Sequence, residues 1–173
     1  MHINSKEQML KGIEYTNTLP GGISFLCAIQ SEFYARNWGF NHQYESVVAS
    51  SVGEFLNRYD KHKDYIEFVI HKGHVAGGIA IDHHDGKLAQ LRWFILSENL
   101  HGLNIGNKLM CNAMQFVEKQ KFKQVFLTTF EGLDSARHLY EKHGFSLTTQ
   151  KQADTWGKKV NEQRFDWINP NYK

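Results

Sequence analysis

A chain of 173 residues with ordinary hydrophobic content and a formal net charge of +2 carries enough apolar surface for one domain with a sizeable core. Its basic residues are scattered, which argues against a nucleic-acid-binding tail, and the polar start MHINSKEQML lacks the apolar run of a secretory leader or a membrane span. The two cysteines, Cys27 and Cys111, fall in apolar helical patterns where small buried thiols are the default, so a reducing, cytoplasmic setting is expected and a disulfide is not suggested.

Residues 13–18 alternate weakly and run into Leu19-Pro20-Gly21-Gly22, the pattern of a short strand entering a turn. A helix is predicted over 23–38, with Phe25, Leu26, Ile29, Phe33 and Tyr34 at helical spacing and Asn37-Trp38-Gly39 as its stop. A second is predicted over 43–59 through Tyr44, Val47, Val48, Val52, Phe55 and Leu56, with Asn41 as its N-cap. Three strands follow, over 65–71, 74–82 and 87–96. The turn signals Lys72-Gly73 and His84-Asp85-Gly86 between them make an antiparallel meander. Ten histidines invite a metal reading. His71, His74, His83 and His84 flank those turns, however, and no cysteine or carboxylate completes a zinc-like spacing, so solvated turn histidines and no metal are expected.

The stretch from 90 to 121 organises the rest. An apolar strand leads into His101-Gly102-Leu103-Asn104-Ile105-Gly106, after which Ile105, Leu109, Met110, Ala113, Met114, Phe116 and Val117 recur at helical spacing. Glycine and asparagine tolerate positive φ, so successive amides in this turn can converge with the free donors of the helix N-terminus on a phosphate. A plain helix start with glycine for packing is the competing reading. The ending Gly-Lys-Ser/Thr of a Walker loop and the third glycine of a dinucleotide fingerprint are both missing. Beyond the helix, strands over 124–129, 145–149 and 163–168 surround a helix that Asp134 caps and Gly144 ends. The helix between the fourth and fifth strands is a crossover, which makes those strands parallel neighbours. The whole reads as a single α+β domain over 1–173, a mixed central sheet of about seven strands flanked by about four helices.

With these residues in place the chain resembles the GNAT superfamily of acyl-CoA-dependent N-acetyltransferases along nearly all its length. LRWFILSENLHGLNIGNKLM is similar to the family's strand, bulge and (Gln/Arg)-x-x-Gly-x-(Gly/Ala) loop, and SARHLYEKHGF to its fourth helix. The wider pattern looks most like the acetyltransferase domain fused behind MarR-type regulators, although no helix-turn-helix region precedes it here. The sequence departs from the motif where His101 replaces Gln or Arg and Asn104 replaces the first glycine, while Gly106 matches.

The resemblance implies acetyl-CoA as cosubstrate, with Phe94, Ile95 and Leu96 contacting the pantetheine arm. The loop residues His101, Gly102, Leu103, Asn104, Ile105, Gly106 and Asn107 would hold the pyrophosphate, and Arg137 would reach a cofactor phosphate or solvate its helix face. Tyr140 matches the family tyrosine that protonates the leaving thiolate; a core tyrosine with its hydroxyl on a backbone partner is the alternative. Gln90 stands where some members carry a glutamate base and cannot accept a proton, which leaves water, Glu98, Glu131 or a histidine. Gln90, Arg92 and Glu131 are candidate substrate contacts; Arg92 and Glu131 are alternatively pantetheine contacts, or strand-borne charges that face solvent or form an ion pair. The expected acceptor is a small-molecule amine or peptide, a homodimer is left open, and neither nucleic acid nor membrane is expected as a partner. A non-catalytic acyl-CoA-binding module acting through a protein partner is the alternative function. Phe33, Trp38, Tyr44, Trp156 and Trp167 offer aromatic surface for an acceptor.

Overall fold

A computed structural model describes residues 10–172. Its elements are β1 (Ile13–Thr16), α1 (Gly22–Trp38), α2 (His42–Arg58), β2 (Tyr65–His71), β3 (His74–His83), β4 (Leu88–Leu96), a short 3-10 turn (Glu98–Leu100), α3 (Ile105–Gln120), β5 (Gln124–Phe130), α4 (Asp134–Lys142), β6 (Ser146–Ala153) and β7 (Val160–Ile168). The strands form one seven-stranded sheet in the order β1-β2-β3-β4-β5-β7-β6. Only β4 and β5 run parallel, joined by the α3 crossover, as the order of elements in the sequence requires.

Each face of the sheet carries its own core. Val69, Ile79, Ile81, Leu91, Val125 and Phe165 pack with Leu109, Met110, Ala113 and Val117 of α3 and with Tyr140 of α4. On the other face Ile66, Phe68, Ala80, Trp93 and Phe130 meet Leu26 and Tyr34 of α1 and Tyr44, Val48, Val52 and Phe55 of α2. Fully burying a side chain the size of Phe55 stabilises the fold by about 2 to 3 kcal/mol.

The buried stripe of α1 is rotated from the one its apolar residues suggest. Ile23, Leu26, Gln30 and Tyr34 face the sheet, and Phe25 is 61% exposed. Likewise Val47 and Leu56 of α2 lie outside its buried face. Asn41 caps α2 as expected, its side chain accepting from Gln43 N at 2.9 Å. Asp134 is not a cap: it occupies the first turn of α4, and Leu133 holds the N-cap position without a side-chain bond. The β6 strand runs on to Ala153 although nearly all of it is exposed, so no apolar alternation marks its length. Nor are all the turn histidines simply solvated. His83 Nδ1 lies 2.6 Å from Oδ1 of the buried Asp64, and His84 Nε2 is buried 3.8 Å from Asp82 Oδ2.

Asp166 on β7 ties three strands together. Burial pushes its carboxyl up, but hydrogen bonds from Arg164, Thr148 and Gln124 outweigh burial and hold it down to about 2. A folded pKa below the unfolded one gives stability that is present above about pH 4 and is lost as pH falls toward 2. Asp166→Asn is therefore expected to cost about 2 kcal/mol at pH 7, and the gap from the parent protein should close near pH 2 in urea unfolding curves.

Candidate active site

The sheet opens at its centre. β4 and β5 are paired only from Leu88↔Gln124 to Gln90↔Phe126, so beyond Gln90 the β5-facing edge of β4 has no strand beside it. A bulge follows at once: Gly78 pairs with Ile95 and Ala80 with Arg92, which sets Trp93 and Phe94 against Ile79 alone. Trp93 adopts φ 50, a left-handed conformation that costs a non-glycine residue on the order of 1 to 2 kcal/mol. Its ring is buried, meets Phe55 edge-on at 5.2 Å and carries the Arg92 guanidinium at 4.6 Å. Burial and these contacts exceed the backbone cost, so the bulge is held in place.

At the end of β4 the chain turns into α3 through two left-handed residues, Gly102 at φ 75 and Asn104 at φ 63 and ψ 9. Asparagine thus supplies at this position a backbone conformation that glycine most readily adopts. Leu100 and Ile105 anchor the turn in the core, Leu103 packs against it half-buried, and the His101 ring lies 2.9 Å from Leu96 O through Nε2. The Asn104 side chain does not cap α3, and no acid stands in the first turn. The amides of Ile105, Gly106 and Asn107 therefore lack intrahelical acceptors, and the positive end of the helix is unopposed. Asn107 also receives a hydrogen bond of 3.1 Å from Nε2 of His143. Burial, with Lys142 nearby, lowers the pKa of that histidine and favours its neutral form.

Three separately predicted pieces converge here. A Cβ on Gly106 would lie 3.2 Å from Leu139 Cδ1 and 3.6 Å from Phe94 Cζ, so the loop, the bulge and α4 touch at this glycine. Tyr140 follows Leu139, with its ring 6.1 Å from Phe94 and 5.8 Å from Phe165. It is buried, yet no hydrogen bond to its hydroxyl is made among the described residues, and it borders two cavities. Burial, with a smaller effect of Tyr34, raises its pKa, so the phenol stays protonated far above neutral pH.

The larger cavity, about 140 Å³, fills the opening between β4 and β5. Gln30 and Tyr34 of α1, Tyr44 of α2, Gln90 to Phe94 of β4, Leu127 to Phe130 of β5, Tyr140 and Trp156 line it. Gln90 and Arg92 line this cavity, and among the described residues no acidic residue borders it. Glu98 is exposed and paired with Arg36. Glu131 borders the smaller cavity and accepts from Asn161 Nδ2 at 2.6 Å. Arg137 also borders that cavity; its Nε donates to Glu141 at 2.8 Å and its guanidinium lies over Phe165. Trp167 lies in the core on the α3 face and lines neither cavity. Gln30, only 6% exposed, was missed by sequence reasoning. An amide spaced four residues from both Leu26 and Tyr34 was its signal.

The family model described as Acetyltransferase (GNAT) family matches residues 24–145, and the chain belongs to that family. Acetyl-CoA is the family's acetyl donor. No curated protein matches the sequence. The fold resembles a GNAT-family acetyltransferase from Staphylococcus aureus Mu50 at TM-score 0.70 and 14% identity, over 90% of this chain and 98% of that one. It also resembles an acetyltransferase from Streptococcus agalactiae at 0.69 and 20%, over 92% and 100%. A Bacillus anthracis protein assigned as a streptothricin acetyltransferase, solved in complex with acetyl coenzyme A, matches at 0.56 and 16%, over 66% of this chain and 68% of that one. Among the described residues no helix is long and apolar enough to cross a membrane, and no group of three metal-binding side chains is found.

Proposed function

We propose that this chain, acting as a single domain, transfers the acetyl group of acetyl-CoA to a primary amine by direct attack. The observation that carries the reading is the Tyr140 hydroxyl, unpartnered among the described residues, on a side chain that borders a cavity opened by the separation of β4 from β5. In this reading the pyrophosphate rests on the amides of the 101–107 turn, and the pantetheine arm lies along the open edge of β4 at Phe94, Ile95 and Leu96. Backbone donors at the bulge polarise the thioester carbonyl. The amine nitrogen bonds to the carbonyl carbon as the C–S bond breaks. The acceptor's ammonium proton has already left to water; the Tyr140 phenol gives its proton to the departing thiolate, and the N–H proton that the attacking nitrogen sheds as the amide forms returns through solvent to the phenolate.

Neither cysteine suits an acyl-enzyme route. Burial pushes the Cys27 thiol up to about 12 against the lowering effect of Arg92, and neither Cys27 nor Cys111 borders the cavity. Both are free, which fits the reducing cytoplasm proposed here. Nothing observed links the chain to a MarR-type regulator, and none enters the proposal. A non-catalytic acyl-CoA-binding module would instead bind acetyl-CoA and transfer to no amine.

Because no carboxylate borders the cavity among the described residues and Gln90 cannot take a proton, the neutral amine is the reactive species. The logarithm of kcat/KM should rise with unit slope up to the acceptor's own amine pKa. No lower inflection near the carboxylate or imidazole range should appear, and the raised pKa of Tyr140 places the alkaline limb above the working range. A profile inflecting at the same pH for amines of different basicity would contradict this.

A further inference from the structure

Among the described residues Arg92 is the one charged side chain bordering the cavity between β4 and β5. It lies on the face covered by α1, where its charge reaches Cys27. Its Nη1 donates to Asp82 Oδ2 at 2.9 Å, but Asp82 is wholly buried and also takes Arg58 Nη2 at 2.5 Å. One carboxylate is therefore shared by two guanidiniums, which leaves a net positive charge at the cavity wall. The Arg92 side chain keeps 18% of its surface exposed, and one of its five N–H donors is the only one bonded to a protein acceptor among the described residues.

Much of the remaining wall is aromatic: Tyr34, Tyr44, Trp93, Phe130 and Trp156. A second ammonium on the acceptor would meet a like charge here with no carboxylate to receive it. An acceptor carboxylate would meet a guanidinium with free donors in a partly desolvated site. Arg92 immediately precedes the bulge at Trp93 and Phe94, so a short separation between the acid and the reacting nitrogen suits the geometry.

Resting on the N-acetyl-transfer reading above, we infer that the acceptor carries its own carboxylate: a free α-amino acid with an apolar or aromatic side chain, its acid paired with Arg92. The test compares L-phenylalanine and L-leucine with their amides, their decarboxylated amines and a linear diamine, at equal concentrations of free amine and saturating acetyl-CoA. The amino acids should exceed the amides and amines in kcat/KM by about 10- to 100-fold, the range of a charge-assisted hydrogen bond. In Arg92→Gln that ratio should fall toward one, and Arg92→Lys should restore part of it.

The series on the unaltered protein decides the matter even if a variant folds poorly. Amides, amines or the diamine reacting as well as the acids would overturn the carboxylate assignment and leave N-acetyl transfer standing. Transfer to none of them, nor to any wider set of amines, would remove the transfer reading and this inference together.

Discussion

Replacing Tyr140 with phenylalanine should lower kcat by about 100- to 1,000-fold, the usual worth of a positioned proton donor, with the acetyl-CoA dissociation constant changed by less than about twofold. Without a proton the C–S bond must break to a free thiolate; the other phenols that border the cavity among the described residues, Tyr34 and Tyr44, are carried by α1 and α2 and not by α4. The substitution isolates that role, because the Tyr140 hydroxyl makes no hydrogen bond among the described residues and phenylalanine keeps the ring between Phe94 and Phe165. Stability should therefore change by less than about 0.5 kcal/mol. Stopped-flow release of CoA thiol, with calorimetric binding beside it, separates the two quantities. An unchanged kcat would return Tyr140 to a packing role.

Gly106→Leu should weaken acetyl-CoA binding by about 100-fold or more in a protein that still folds. The first added carbon already stands 3.2 Å from Leu139 Cδ1 and 3.6 Å from Phe94 Cζ. A full leucine must drive the start of α3 away from both β4 and α4, and converging amides lose an anion when their geometry opens. Overpacking of this kind costs about 1 to 3 kcal/mol, within the stability of an ordinary domain. Gly106→Ala should cost only a few-fold in affinity, since the tip of Leu139 can move by a few tenths of an ångström. Circular dichroism confirms folding and calorimetry reads the affinity. Retained affinity in folded Gly106→Leu would place the phosphates elsewhere.

The meander and the crossover were legible because those links are local, whereas the pairings of β1 with β2 and of β5 with β7 span other elements and were not. Turn signals at Lys72-Gly73 and His84-Asp85-Gly86 fix the meander, and one helical period after β4 forces the parallel crossover. The loop was legible for a similar reason, since Asn104 was read as tolerating positive φ and does adopt it. What depends on register across strands or on rotation about a helix axis was not. Periodicity in α1 admits overlapping stripes, and tertiary packing chose the one through Gln30 over the one through Phe25 and Ile29. The carboxylate missing at Gln90 lies directly across the ladder at Asp82. There two guanidiniums occupy it, so it orients Arg92. The pairing of β3 with β4 brings Asp82 beside Arg92, and the end of α2 adds Arg58.

The most direct measurement follows isotopically labelled acetyl through one reaction with acetyl-CoA and a broad set of amines, beginning with the amino acids. The account predicts label in an amide of the acceptor, one CoA thiol released per amide formed, and no label on the protein when acceptor is omitted. Label held on the protein, label appearing only as acetate, or no thiol release with any amine would contradict it.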